Sequence, residues 1–417
     1  MFVLFAALSV VAILLLAGSV VQTWLFDRYV ASELARPLDG PAPFASVLLP
    51  CKGLDPELPA TLAAVQILDY PHYEIICAVE SDTDPAYDLI QRTVEHSRAA
   101  QASDAAQPFT PRPPHPSIRC VIAGCSTAMV QKIANHLAAI EAADPRSEVF
   151  AFLDSDSVPH RQWLRAMAAP LADPEIGAVT GFRWYVPDGT LLGLVRCVWN
   201  ALAINLLVIA RRTNFVWGGS VAMRRETFEK LRIAERWRSV LSEDFEITRA
   251  VREAGQRLYF TPRVLIPNHD HSGWGRFWRF ARRQLIITRV CAPPFWISAT
   301  INNTLFVLGF WSMIVFAIYW MVLGPRSLGL LAFSLALVIY LLAMTKGAIR
   351  HRAVRRMLPD PALHRGVWAV ELFGGVLLAL FNVPLLLAAG VSNRFWWRDV
   401  HYDMRSVDDV RILNRRG

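Results

Sequence analysis

Charge is sparse in this chain: Asp, Glu, Lys and Arg make up 19% of its 417 residues, whereas 54% are hydrophobic. A soluble domain usually carries about a quarter charged residues, so part of the chain must meet something other than water. Lysine is scarce beside arginine, and the net charge of +8 rests almost entirely on guanidinium groups. That balance suits nucleic acid or an anionic membrane surface, and the long apolar segments favour the membrane over nucleic acid. The six cysteines include no C-x-x-C pair, so neither a zinc site nor a disulfide framework is expected. Cys77 and Cys120 lie in apolar, strand-like runs, as buried reduced thiols do, which fits a reducing compartment. The run from Phe2 to Phe26 contains no charge and no basic residue precedes it. A secretory signal wants basic residues before a shorter apolar core, so residues 1–30 read as a transmembrane anchor.

Residues 31–44, with three prolines, read as a linker. Strand and helix signals then alternate over 44–270, which predicts a doubly wound α/β domain. Strands are expected at 46–49, 73–79, 118–122, 150–153 and 177–184, and helices at 58–68, 86–97 and 127–143. Residues 99–116, rich in Ala, Gln and Pro, read as an exposed loop. The segment 191–210 is apolar but interrupted by Arg196 and Asn200, which suits a buried or membrane-surface helix better than a span.

The apolar run Phe150-Ala151-Phe152-Leu153 ends in Asp154-Ser155-Asp156. Ligands of open α/β sheets gather at the carboxyl ends of strands, and one intervening residue turns both carboxylates to the same side. Two such carboxylates repel unless a cation lies between them. Mg²⁺ or Mn²⁺ held by one or two carboxylates, with substrate phosphates completing the shell, is the functional reading. An Asp-Ser-Asp turn capping local N–H groups is the structural one. Gly218 and Gly219 permit close backbone approach to a ligand or make an ordinary turn. Ser242-Glu243-Asp244 opens a helix with apolar residues at 247, 250, 251 and 254; Ser242 suits the N-cap and the acids suit the helix dipole. A carboxylate so placed, at the rim of a metal-diphosphate site, also suits a base that takes a proton from an attacking hydroxyl.

Beyond the α/β domain, residues 271–292 interleave Trp274, Phe277, Trp278 and Phe280 with Arg276, Arg279, Arg282, Arg283 and Arg289. That mixture predicts a helix at the headgroup level. Residues 293–393 contain three apolar runs, 300–323, 328–344 and 370–391. The loop between the last two holds Lys346, Arg350, Arg352, Arg355, Arg356 and Arg365, so it and the α/β domain are expected on the cytoplasmic side. The last run contains Asn382 and Pro384 and leads to a basic tail, 394–417. A plain span puts that tail outside, whereas a re-entrant hairpin keeps it inside.

In order along the chain, Leu48-Leu49-Pro50-Cys51-Lys52-Gly53-Leu54-Asp55, Tyr70-Pro71-His72-Tyr73-Glu74, Asp84-Pro85-Ala86, Lys132 with Asn135, Asp154-x-Asp156, Gly218-Gly219-Ser220 and Glu243-Asp244 resemble the processive-type glycosyltransferases of the GT-A fold. More closely they resemble the ceramide glucosyltransferase family, which includes the bacterial hopanoid-associated glycosyltransferases. The resemblance implies a GT-A, Rossmann-like domain with an N-terminal transmembrane helix and a C-terminal multi-pass region. It implies inverting transfer of glucose or N-acetylglucosamine from a UDP-sugar to a lipid hydroxyl, on a ceramide or a hopanoid polyol, at a bacterial inner membrane. Asp244 would be the base, Asp154 and Asp156 would hold the divalent cation, and Lys52, Lys132, Asn135, Gly218, Gly219, Arg276 and Arg279 would surround the donor. The family's first aspartate is displaced here, leaving Glu80, Asp82 and Asp84 as candidates to contact the base of the nucleotide. The (Gln/Arg)-x-x-Arg-Trp motif is matched only as Arg276-Phe277-Trp278-Arg279-Phe280; Phe keeps the aromatic face but loses the indole donor. His269 or His271 offers a further metal ligand or a plain surface histidine. A polysaccharide synthase, or a catalytically inactive membrane scaffold, is the alternative. The sequence says nothing of oligomeric state.

Overall fold

The computed structural model describes residues 1–105, 116–207 and 214–415. Seven strands form one sheet: β1 (Ala45–Pro50), β2 (Tyr73–Val79), β3 (Ser117–Ile122), β4 (Val149–Leu153), β5 (Ile176–Tyr185), β6 (Ser220–Arg224) and β7 (Arg257–Asn268). Their order is β3-β2-β1-β4-β6-β5-β7, and β6 alone runs against its neighbours β4 and β5. This is the GT-A layout expected from the sequence. Each strand of the centre is buried on both faces, so side chains alternate between two cores. Val47, Leu49, Ala151 and Leu153 face one; Leu48, Phe150 and Phe152 face the other.

Helices α2 (Leu58–Val65), α3 (Pro85–Ala105) and α5 (Trp163–Ala168) cover the first face, and α4 (Gln131–Glu141) the second. After α6 (Leu191–Ala201) and β6, the short helices α7 (Arg225–Lys230) and α8 (Ile233–Arg236) lead to α9 (Glu243–Glu253). The predicted loop at 99–116 is helical up to Ala105, and residues 106–115 lie outside the described residues. The helix expected over 191–210 ends its α-helical part at Ala201, and 208–210 also lie outside them.

The membrane-facing part comprises α1 (Phe2–Ala35), α10 (Trp274–Cys291), α11 (Pro293–Leu323), α12 (Arg326–Met357), α13 (Val367–Phe373) and α14 (Gly375–Gly390). Helices α1, α11 and α12 are each long and apolar enough to cross a membrane, and α13 and α14 meet at a bend of 87°. The first helix does not stop at Asp27: it continues through the expected linker to Ala35. The reason is tertiary, because the buried Asp27 carboxylate receives Arg352 at 2.6 Å and Arg356 at 2.7 Å. Those arginines were expected in a loop; Lys346 to Arg356 instead occupy the last turns of α12. Phe26 and Val30 of α1 pack with Phe182, Phe260 and Leu265 of the sheet and Ala353 and Val354 of α12, so the α/β domain is seated directly on the helices.

The tail is a folded element. Strands β8 (Arg394–Trp397), β9 (Val400–Met404) and β10 (Val410–Arg415) make an antiparallel sheet that packs Phe395, Val400, Tyr402 and Met404 into the second core. The α12 end that holds Asp27 and the tail that follows α14 therefore both touch the α/β domain.

Candidate active site

The turns after β1 and β4, the turn before β6 and the amino end of α9 meet at one end of the sheet. Reversal of β6 is what brings the third segment in: Leu153 pairs with Ser220, and Asp154 N–H donates to the Gly219 carbonyl at 3.2 Å. Asp154, Asp156, Gly218, Gly219, Lys132 and Asp244 thus line one cavity of about 950 Å³.

Lys132, in the first turn of α4, is the hub of its charges. Its ammonium lies 2.7 Å from Asp154 and 2.5 Å from Glu243. Burial alone would lower its proton affinity, but the two carboxylates outweigh burial and raise it. Glu243 is fully enclosed, and burial pushes its carboxyl up against the pull of Lys132. Asp156 is pushed up as well, first by burial and then by Asp154, with Arg183 pulling the other way. No hydrogen bond to the Asp156 carboxylate occurs among the described residues. A half-buried, unpartnered carboxylate beside a second one fits a divalent cation that also takes phosphate oxygens. No group of three or more His, Cys, Asp or Glu side chains placed to hold a metal occurs among the described residues, so any ion here takes part of its shell from a ligand.

Asp244 is anchored on both oxygens. Oδ2 accepts from Gly218 N–H at 3.3 Å, and Oδ1 accepts from Phe245 N–H at 2.8 Å and from the Ser242 hydroxyl. Ser242 stands at the N-cap, but its hydroxyl serves Asp244 and makes no cap bond. Gly218 and Gly219 line the cavity, yet their missing side chains make room for protein. A Cβ on Gly218 would lie 2.6 Å from Glu243 Oε1, and one on Gly219 would strike the Trp217 ring.

The remaining expected residues divide. Lys52 reaches Glu80 at 2.8 Å. Asp82 is exposed. Asp84 is buried and accepts from Gly53 N–H at 2.8 Å and Ala86 N–H at 2.9 Å, so it ties the β1 turn to the start of α3. Asn135 lines the cavity, but its amide donates to the Cys51 and Ala78 carbonyls at 2.9 and 3.2 Å. Arg276 and Arg279 are exposed on α10 and do not line the cavity. Further along that helix Arg283 does, lying 4.8 Å from the Trp397 ring, and burial pulls its guanidinium down to about 10. His269 and His271 are exposed and outside the cavity.

Sequence reasoning gave no place in the site to Arg183 or Arg398, quoted Asp55 only within a motif and put Arg283 at the headgroup level, yet all four line the cavity. Arg183 carried a signal, as a lone arginine inside an apolar strand, held 4.5 Å from the Tyr185 ring. Arg398 carried none, because its partner is in β1's turn.

The family model for glycosyl transferase family 21 matches residues 4–410. A ceramide glucosyltransferase of Gibberella zeae is 35% identical over 95 residues, which is 22% of this chain and 18% of that one. The chain thus spans less than a fifth of the length of that curated relative in the match. Among solved structures, the mannosyltransferase PcManGT from Pyrobaculum calidifontis, in complex with GDP-Man and Mn²⁺, is similar with a TM-score of 0.44 at 17% identity, covering 93% of this chain and 98% of that one. Glucosyl-3-phosphoglycerate synthase from Mycobacterium tuberculosis, in complex with Mn²⁺ and UDP-glucose, gives a TM-score of 0.33 at 16% identity, covering 63% and 82%.

Proposed function

Because the chain belongs to glycosyl transferase family 21, we propose that it transfers a sugar, glucose or N-acetylglucosamine, from a UDP-sugar to the hydroxyl of a membrane lipid, a ceramide or a hopanoid polyol, with inversion. One observation carries this reading. The cavity that holds Asp154, Asp156 and Asp244 is also lined by Ser19 of α1, Asn303 of α11 and Ala379 of α14. A water-soluble donor and a membrane-embedded acceptor can meet only in a space that reaches both, and this cavity runs from the carboxylates to the apolar helices.

In this reading the acceptor hydroxyl gives its proton to Asp244 as its oxygen attacks the anomeric carbon, and the bond from that carbon to the diphosphate oxygen breaks on the opposite face. Asp244 suits the task because Gly218 N–H and Phe245 N–H fix its orientation. Asp154 and Asp156 would hold a divalent cation, Mg²⁺ or Mn²⁺, and that ion would supply positive charge against the departing diphosphate. Arg183 and Arg283 supply fixed positive charge in the same cavity, and Lys132 keeps Asp154 and Glu243 in place. The α/β domain lies on the cytoplasmic side, where UDP-sugars are, and α13–α14 re-enters without crossing, which leaves the tail on that side too.

The test is to offer detergent-purified protein a panel of UDP-sugars with each lipid class and to identify products by mass spectrometry. Release of UDP with a new glycolipid, dependent on Mg²⁺ or Mn²⁺, is the expected result. No UDP release from any pair would remove the proposal and leave the scaffold reading.

A further inference from the structure

The strands β8 and β9 are joined by a two-residue turn, Arg398-Asp399, in which Arg398 has φ of 52°. Tight hairpin turns require positive φ, usually from Gly, Asn or Asp, and a residue with a Cβ is strained there. What holds arginine there is a set of bonds to the turn that follows β1. Arg398 Nη2 lies 3.0 Å from each oxygen of Asp55, and Nη1 donates to the Lys52 carbonyl. Asp399 Oδ2 lies 3.3 Å from Lys52 Nζ. The two turns therefore match charge for charge, Arg398 with Asp55 and Asp399 with Lys52. Gly53 gives the turn its backbone, with φ of +66°; a Cβ there would meet Arg398 Nη1 at an ordinary contact distance of 3.7 Å.

The contact extends to the acids of the cavity. Asp55 Oδ2 accepts from the Ser155 hydroxyl at 2.6 Å, and Ser155 is the residue between Asp154 and Asp156. The rest of the tail sheet is pinned around the same cavity. Arg249 of α9 lies 3.1 Å from Asp408, Arg415 bonds to Cys125 and Ser126 before α4, and Arg282 of α10 donates to the Arg394 carbonyl at 3.0 Å. Trp397, Arg398, Asp399, Val400 and Tyr402 all line the cavity.

We propose that the Arg398-Asp399 hairpin is a wall of the donor site. Arg398 is a positioning residue: through Asp55 and Ser155 it fixes the Lys52–Asp55 turn and the Asp154–Asp156 turn in the arrangement that receives a nucleoside diphosphate. This rests on the reading that the cavity binds a nucleotide-sugar.

The experiment uses the full chain in detergent and measures UDP binding with Mn²⁺ by calorimetry, donor and acceptor KM, kcat and melting temperature. For Arg398→Ala, UDP Kd and donor KM rise about tenfold, the equivalent of ~1.4 kcal/mol. Acceptor KM and kcat at saturating donor stay within about twofold, on the same scale. Arg398→Lys recovers only part of the loss, since one ammonium nitrogen cannot serve Asp55 and the Lys52 carbonyl together as the two guanidinium nitrogens do. Asp55→Asn weakens UDP binding, and the double variant loses no more than Arg398→Ala alone, because the pair acts as a unit. Unchanged UDP binding in Arg398→Ala, or losses that add in the double variant, would overturn the role. Should Arg398→Ala fail to fold, Arg398→Lys and Asp399→Asn carry the same comparison. Wild-type protein that binds no UDP would instead bring down the nucleotide-sugar reading itself, and the hairpin's role with it.

Discussion

The ammonium of Lys132 sits 2.5 Å from Glu243, a residue 111 positions along the chain, and 2.7 Å from Asp154 at the end of β4. One cation thereby holds the amino end of α9 against the central strand. Replacing it leaves the buried Glu243 and the half-buried Asp154 without a counter-charge, and breaking a buried pair from one side costs at most about 3–5 kcal/mol. Lys132→Met is expected to lower the melting temperature and abolish transfer. Thermal unfolding checks it; an unchanged melting temperature would show that the pair contributes nothing to the fold.

Asp244→Asn keeps the shape of the side chain and removes its basicity. Transfer should fall by about 10²–10⁴-fold, the usual worth of a general base, with UDP binding unchanged. A parallel loss of UDP binding would move Asp244 to the donor site.

Asp156 gives a pH-linked prediction. Its proton affinity is raised in the folded protein by burial and by Asp154, so its contribution to stability is greatest below the ordinary aspartate pKa and is lost as pH rises through the raised value. At neutral pH the ionised group destabilises the metal-free protein. Asp156→Asn should therefore raise its melting temperature, while removing Mn²⁺-dependent transfer. Scanning fluorimetry at neutral pH decides this: a fall in melting temperature contradicts it.

Gly218→Ala places a methyl group 2.6 Å from Glu243 Oε1, which must displace Glu243 from Lys132 or shift the turn. Activity should drop at least tenfold, ~1.4 kcal/mol in barrier terms. Gly273→Ala, where the added carbon meets nothing within 4 Å, is the matched control and should behave as wild type. Equal activity of the two variants would mean that the turn yields freely.

Much of the scaffold was legible because its signals are local. Tyr73–Val79 forms the strand its apolar run implies, and Asp154 follows β4 directly. Rotation of helices was less legible. Arg276, Arg279 and Arg283 share α10, and only packing against Phe381 and the tail sheet decides that Arg283 faces the cavity while the other two face out. The acids after β2 show the same limit: Asp84 is spent on two backbone N–H groups, a use that no pattern of acidic residues announces.

The amino-acid order alone determined the strand ends that carry carboxylates, the apolar lengths fit for a membrane and the family, because each depends on residues close together in the chain. Tertiary structure decided which charge answers which. Arg398 meets Asp55 across 343 residues, Arg352 meets Asp27 across 325, and a supposed tail became a wall of the cavity. Coulomb attraction and desolvation act through space, so the pairing of buried charges is fixed only when the sheet, the spans and the hairpin have been brought together.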